Sequence, residues 1–268
     1  MITTPPRRLP IDVVLKRSFL YAWESRSTLA KPYAIYVIVA VLADLLLGEA
    51  ANSANSVRLY LLTGVEEVFA MAFAVGIHRF VLLHEVNAGF RFFRWDRHFL
   101  QYLLTALVLF LLGLLAAFPA LGVVGGAAGP AGSGVAGISA LFGLAFVMTA
   151  AVILSRMALA LPAAAIGEAT PPRAIWDATR GNGFRLLALT IMTVLPFMAI
   201  QAVLLHLLPG MNDPAATGFS TTEILVTIVW GLISPIQLIV VTVMLSLCFD
   251  VLVRGGGPAA VEPSRRDA

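Results

Sequence analysis

Charge is what this 268-residue chain has least of. Asp, Glu, Lys and Arg make up 12% of it, against 59% hydrophobic residues, where a soluble domain carries about a quarter charged residues. A soluble protein of this length would need far more charge to cover its surface. The mean hydropathy of +0.91 places the chain among membrane proteins. Cysteine is almost missing. Cys248 stands alone between Leu247 and Phe249, which excludes an internal disulfide and any multi-cysteine metal site and reads as an ordinary buried thiol. Residues 1–18 contain Arg7-Arg8 and three prolines but no apolar core with a small-residue cleavage site, so they do not read as a signal peptide. Catalytic patterns are missing as well: no S-x-x-K, G-x-S-x-G, H-E-x-x-H or G-x-x-x-x-G-K-[ST], and no carboxylate pair with a histidine on the same side. The expectation is therefore no enzyme and no cofactor.

Apolar runs of about 20 residues, the length that crosses a bilayer, are what the chain has in quantity. Six are expected: 32–47, 59–83, 99–118 closed by Pro119, 135–154, 186–208 kinked at Pro196, and 224–247 bent at Pro235. The expected fold class is all-α, a polytopic membrane protein of six transmembrane helices with interfacial amphipathic helices. Residues 1–31 form a tail and surface helix, 32–253 the six-span domain, and 254–268 a Gly/Pro/charged tail.

Orientation follows from the basic residues. Of 18 Lys and Arg, six precede span one, four lie between spans two and three, four between spans four and five, and three after span six, leaving Arg58 alone on the other side. Basic residues are retained on the cytoplasmic side, so both termini are expected there, in a bacterial inner membrane. The net charge of +3 does not point to nucleic acid, because the basic residues flank apolar spans instead of covering a soluble face.

Three segments on that side alternate aromatic and basic residues: 11–29, with Tyr21 and Trp23 suited to the headgroup level; 84–98, around Phe90-Arg91-Phe92-Phe93-Arg94-Trp95; and 173–180. The last has Thr170 as an N-cap, proline next to it at N1 (Pro171) and Gly181 past its end, with Ile175 and Trp176 toward lipid and Arg173 and Arg180 toward headgroups. Each segment precedes a pair of spans, and Ile77-His78-Arg79 ends span two much as Leu154-Ser155-Arg156 ends span four. The chain reads as three hairpins, each introduced by a surface helix. Membrane lipids with anionic headgroups, or an unidentified membrane protein, are the expected partners.

Several patterns have a plain reading beside a sharper one. Gly132-Ser133-Gly134-Val135-Ala136-Gly137 matches G-x-G-x-x-G, but a dinucleotide site needs a preceding strand; a flexible or re-entrant loop over 121–137 fits better. His78, His84, His98 and Glu85 do not share a helical face as an i, i+4 metal pair would, and read as interfacial residues beside headgroups. Asp44, Glu66 and Glu67 are the acids nearest the membrane interior. Such acids cost about 2.5–3.5 kcal/mol on insertion scales, so they are a candidate ion or proton site, with Arg58 and Glu223 near its mouth; a structural pair with Arg58 is the plainer alternative. Arg79 and Arg156 are basic residues set in apolar sequence. Either snorkels to the headgroups, or Arg156 pairs with Glu168 and fixes the angle of the following surface helix.

The run Ser155-Arg156-Met157-Ala158-Leu159-Ala160-Leu161-Pro162-Ala163-Ala164 with Glu168, then Ala174-Ile175-Trp176 and Arg180-Gly181-Asn182-Gly183-Phe184-Arg185, resembles the membrane domain found beside some bacterial glycerophosphoryl diester phosphodiesterases and in related small inner-membrane proteins. The similarity is sharpest over residues 152–186 and extends more loosely to the topology of the whole chain. It implies a six-span inner-membrane domain. The family's chemistry belongs to a separate soluble domain, and only the 14-residue stretch 255–268 follows the last span here, so no catalytic residue is carried over.

Overall fold

The computed structural model describes residues 8–52, 56–87, 89–127, 134–207 and 221–256, all of it helix, turn or connection with no strand among them. Nine α-helices follow in order: α1 Ile11–Glu24, α2 Arg26–Asn52, α3 Ser56–Leu83, α4 Arg97–Ala127, α5 Gly134–Met157, α6 Ala160–Ile166, α7 Pro172–Ala178, α8 Gly183–Leu207 and α9 Thr221–Phe249. A 3-10 turn at Gly89–Phe92 precedes α4, and a π-helical turn at Asp250–Arg254 ends α9. Six of the helices hold segments long and apolar enough to cross a membrane, so the all-α polytopic expectation holds. A lipid environment offers no water to unpaired backbone groups, and a helix satisfies them internally.

The closest span contacts are α4 with α5 and α2 with α3, while α8 packs on both α5 and α9. The central helix is α9, which touches α1, α2, α3, α6 and α8; 61% of its span is buried, against 6% for α4 and for α5. The α4–α5 pair is peripheral. Leucine, valine and phenylalanine side chains stand outward along both of its helices, as lipid-facing helices require.

Several boundaries differ from the sequence reading. The helix α4 continues through Pro119 to Ala127, because an interior proline forfeits about one backbone hydrogen bond whereas a loop inside the bilayer would forfeit many. Helices α8 and α9 contain Pro196 and Pro235 in their interiors, where the sequence placed them. The polar stretch 48–57, expected to be a loop, is helical as far as Asn52 and again from Ser56. The glycine-rich stretch 121–137 is helix at both ends; its middle, 128–133, lies outside the described residues, as do the loop over 208–220 and the tail from 257.

The three surface segments are not alike. The first is a true helix, α1, packed on α8 and α9 with Phe19 stacked on Phe197 and Tyr21 edge-on to Phe80. Tyr21 therefore faces the bundle, and Trp23 remains outside. The second contains one 3-10 turn, and it buries Phe92 and Phe93 in the core beside Phe69 and Phe73. The third contains α7, whose N-cap is Pro171 with no side-chain cap, not Thr170. Ile175 points into the core at 1% exposure, not to lipid. In both corrected segments one apolar face found core to cover it, a choice set by neighbours distant in sequence.

Candidate functional site

The last turns of α3, α5 and α9 and the first turns of α2, α4 and α8 meet at one end of the bundle, and the basic side chains gather there. Arg79, in the last turn of α3, sends its Nε to Glu85 Oε2 at 3.1 Å, a terminal nitrogen to Glu85 Oε1 at 2.6 Å and the other to the Ala165 carbonyl at 3.2 Å. Arg94 reaches the same carboxylate at 2.6 Å. Two guanidinium groups thus share one acid, and Glu85 is held below its ordinary carboxylate value, first by the hydrogen bond from Arg79 and then, against partial burial, by both positive charges. The chain makes room for this loop with His84 at φ +54.

Glu168 is taken by Arg254, not by Arg156. The Arg254 Nε lies 2.8 Å from Glu168 Oε1, a terminal nitrogen bonds the same oxygen, and the other donates to the Leu82 carbonyl at 3.3 Å. The π-helical turn carries Arg254 to this position, beyond a regular end of α9. Glu168 is placed by the left-handed Gly167 that ends α6 (φ +75). The His98 ring fills the space where a side chain on Gly167 would stand.

Arg156 instead clamps α7. Its Nε donates to Thr179 Oγ1 at 2.9 Å, a terminal nitrogen donates to the Trp176 carbonyl, and the guanidinium lies 3.5 Å from the Trp176 ring centre. Arg156 thus holds the surface helix through an aromatic ring and a hydroxyl, and the pairing with Glu168 expected from the sequence is not made. Arg173 and Arg180 on the same segment are exposed.

Residues that the sequence reading passed over complete this end. Leu9 is fully buried, where a loose tail was expected. Its N–H donates to Asn182 Oδ1 at 2.9 Å, and Arg185 donates to its carbonyl at 2.8 Å. Asn182 was visible in sequence only as the middle of a Gly-Asn-Gly turn. His78 is wholly buried with Nδ1 2.8 Å from Ser246 Oγ and its ring 5.7 Å from that of Tyr102, so it is a core residue and not interfacial. Among the described residues no three of His, Cys, Asp and Glu gather closely enough to hold a metal ion.

The outer rim of this end alternates exposed rings and guanidinium groups: Trp23 with Arg26, Phe90 and Trp95 around Arg91, and Trp176 with Arg173 and Arg180. Two grooves open on its flanks. One, of about 450 Å³, lies between α1, α2 and α9 with Arg26 at its edge. The other, of about 510 Å³, lies between α4 and the α5–α7 region with Glu168 at its edge.

The candidate acids stand apart from all of this. Asp44 on α2 and Glu66 on α3 are half-buried and Glu67 is exposed, as two successive helical positions about 100° apart require. Asp44 and Glu67 lie within electrostatic reach of Glu66, and all three within reach of Tyr36. From Arg26 to Asp44 along α2 is about 27 Å at 1.5 Å per residue. The side chains of Arg58 and Glu223, expected at the mouth, lie outside the described residues.

No family model, curated protein or solved structure matches this chain. It is an integral membrane protein of six spans, and its geometry carries the functional reading.

Proposed function

We propose that this chain is a non-enzymatic protein of a bacterial inner membrane that gathers anionic lipid around its cytoplasmic end. The observation that carries the reading is the rim of exposed Trp and Phe rings interleaved with Arg26, Arg91, Arg173 and Arg180. Rings of this kind sit at the headgroup level, and each basic residue near an anionic surface adds about 1 kcal/mol. The asymmetry of basic residues supports cytoplasmic termini. The full chain in nanodiscs of mixed phosphatidylglycerol and phosphatidylcholine is the test. Spin-labelled phosphatidylglycerol should be enriched at the protein over the bulk ratio, less so at high salt, and less in the R91Q/R173Q/R180Q variant. Equal occupancy by both lipids would end this reading.

A second reading rests on a separate observation, the mutual proximity of Asp44, Glu66 and Glu67 with Tyr36 in the far half of the α2–α3 pair. A small transporter or channel would use such a group to carry a proton or cation. Liposome flux measured for wild type, D44N, E66Q and E67Q decides it: flux lost with one variant supports the site, and flux unchanged in all three removes it.

A further inference from the structure

The two flanking grooves are alike in size, but only the first carries at its edge a charge that no opposite charge among the described residues neutralises, and that difference selects an occupant for it. The groove between α1, α2 and α9 is walled by Phe19 and Trp23 of α1, Ala30 and Tyr33 of α2, and Ile236 of α9, and among the described residues Arg26 is the only charged one lining it. Tyr33 spends its hydroxyl on the Leu232 carbonyl at 2.6 Å, which leaves the wall apolar. Arg26 is exposed, lies 4.4 Å from the Trp23 ring centre and donates one hydrogen bond, to the Trp23 carbonyl at 3.0 Å. No carboxylate among the described residues pairs with it, so most of its five donors have no acceptor among those residues. The other groove carries the acid Glu168 at its rim, already neutralised by Arg254.

Depth fits the same occupant. Arg26 opens the first span and Tyr33 lies about 10 Å further along α2, so the guanidinium sits where headgroups lie and the apolar wall runs inward from it. A volume of about 450 Å³ is within the range of small-molecule sites, about 300–1,000 Å³.

We propose that this groove binds one anionic phospholipid, an acyl chain along the α1–α2–α9 wall and the phosphate on Arg26. The proposal rests on the lipid-gathering reading above and narrows it to a defined site. Arginine suits this role because its planar fork holds phosphate oxygens in pairs, where an ammonium acts as a point charge.

Native mass spectrometry of the full chain, released from detergent with phosphatidylglycerol or phosphatidylcholine added, tests it. Wild type should retain one phosphatidylglycerol several-fold more tightly than phosphatidylcholine. Arg26→Gln should lose about fivefold in affinity, the equivalent of about 1 kcal/mol. Ala30→Trp, which fills the groove and leaves the charge, should displace the lipid, while Arg26→Lys should retain part of the preference. R173Q/R180Q, on the third surface segment and outside the groove lining, should keep the tightly held lipid. If Arg26→Gln and Ala30→Trp both hold phosphatidylglycerol as wild type does, the groove is not the site, and the lipid-gathering rim stands or falls by its own test. If wild type shows no anionic preference at all, both readings fall.

Discussion

Phe92 lies on the backbone of Gly76. A Cβ built on Gly76 would stand 2.5 Å from Phe92 Cε1 and 2.6 Å from the Phe92 carbonyl oxygen, closer than real contacts allow. The glycine in the middle of α3 is the socket into which the 3-10 turn before α4 is plugged. An alanine there can be relieved only by moving that turn's backbone.

Gly76→Ala should therefore destabilise the protein by about 1–3 kcal/mol, the usual cost of overpacking, despite the better helix propensity of alanine. Gly113→Ala is the control, since its Cβ would meet only Leu154 at 3.6 Å; it should be neutral or stabilising by up to about 1 kcal/mol. Thermal unfolding in detergent, followed by tryptophan fluorescence, should move in opposite directions for the two, or leave Gly113→Ala unmoved.

Glu85 gives the stability a pH dependence with a definite sign. Its carboxyl is held below the ordinary value of 4.5 by Arg79 and Arg94, so its contribution is present above about pH 4.5 and is lost as pH falls through the lower folded value. Melting temperature should drop between pH 5 and the acid limit in wild type, and the drop should be smaller in Glu85→Gln. At pH 7 Glu85→Gln should cost about 1 kcal/mol, because the group is partly exposed and screened. A Glu85→Gln profile parallel to wild type would show that Glu85 is not the group responsible.

Arg156 should not be replaceable by lysine. Lysine keeps the charge but cannot lie flat on Trp176 while bonding Thr179 Oγ1 and the Trp176 carbonyl. Arg156→Ala and Arg156→Lys should each cost about 1–2 kcal/mol and raise proteolysis between residues 167 and 183. Protection restored by lysine would mean that charge alone holds α7.

Leu9 anchors the N-terminal segment, and its truncation should be felt across the bundle. Leu9→Ala should cost about 2–5 kcal/mol by vacating a fully buried position. Asn182→Ala, which leaves the Leu9 N–H without its Oδ1 acceptor, should cost about 1–3 kcal/mol. Equal melting temperatures for Leu9→Ala and wild type would show the segment to be undocked in solution.

The sequence resolved this protein unevenly. Each span was legible because length and hydropathy act on one segment at a time, and even the proline positions changed only where a helix ends. The rim residues Arg173, Trp176 and Arg180 were legible for the same reason, since exposure of a basic residue beside a ring is a local property. The partner of Glu168 was not. Arg156 and Arg254 are both basic residues at the ends of spans, and only the packing of α6 beside the end of α9 decides that Arg254 is the one within reach.

By itself, then, the sequence determined that the chain is helical, that it has six membrane spans and that its basic residues lie almost wholly on one side of them. Those are consequences of composition summed over windows of about 20 residues, which a bilayer reads directly. Only the tertiary structure decided which faces turn inward: Phe92 and Phe93 into the core, Ile175 and His78 with them, and Trp23 and Arg26 beside an open groove. Helix rotation and pairing depend on neighbours far away in the chain. Leu9 and Asn182, 173 positions apart, meet for reasons that no local pattern contains.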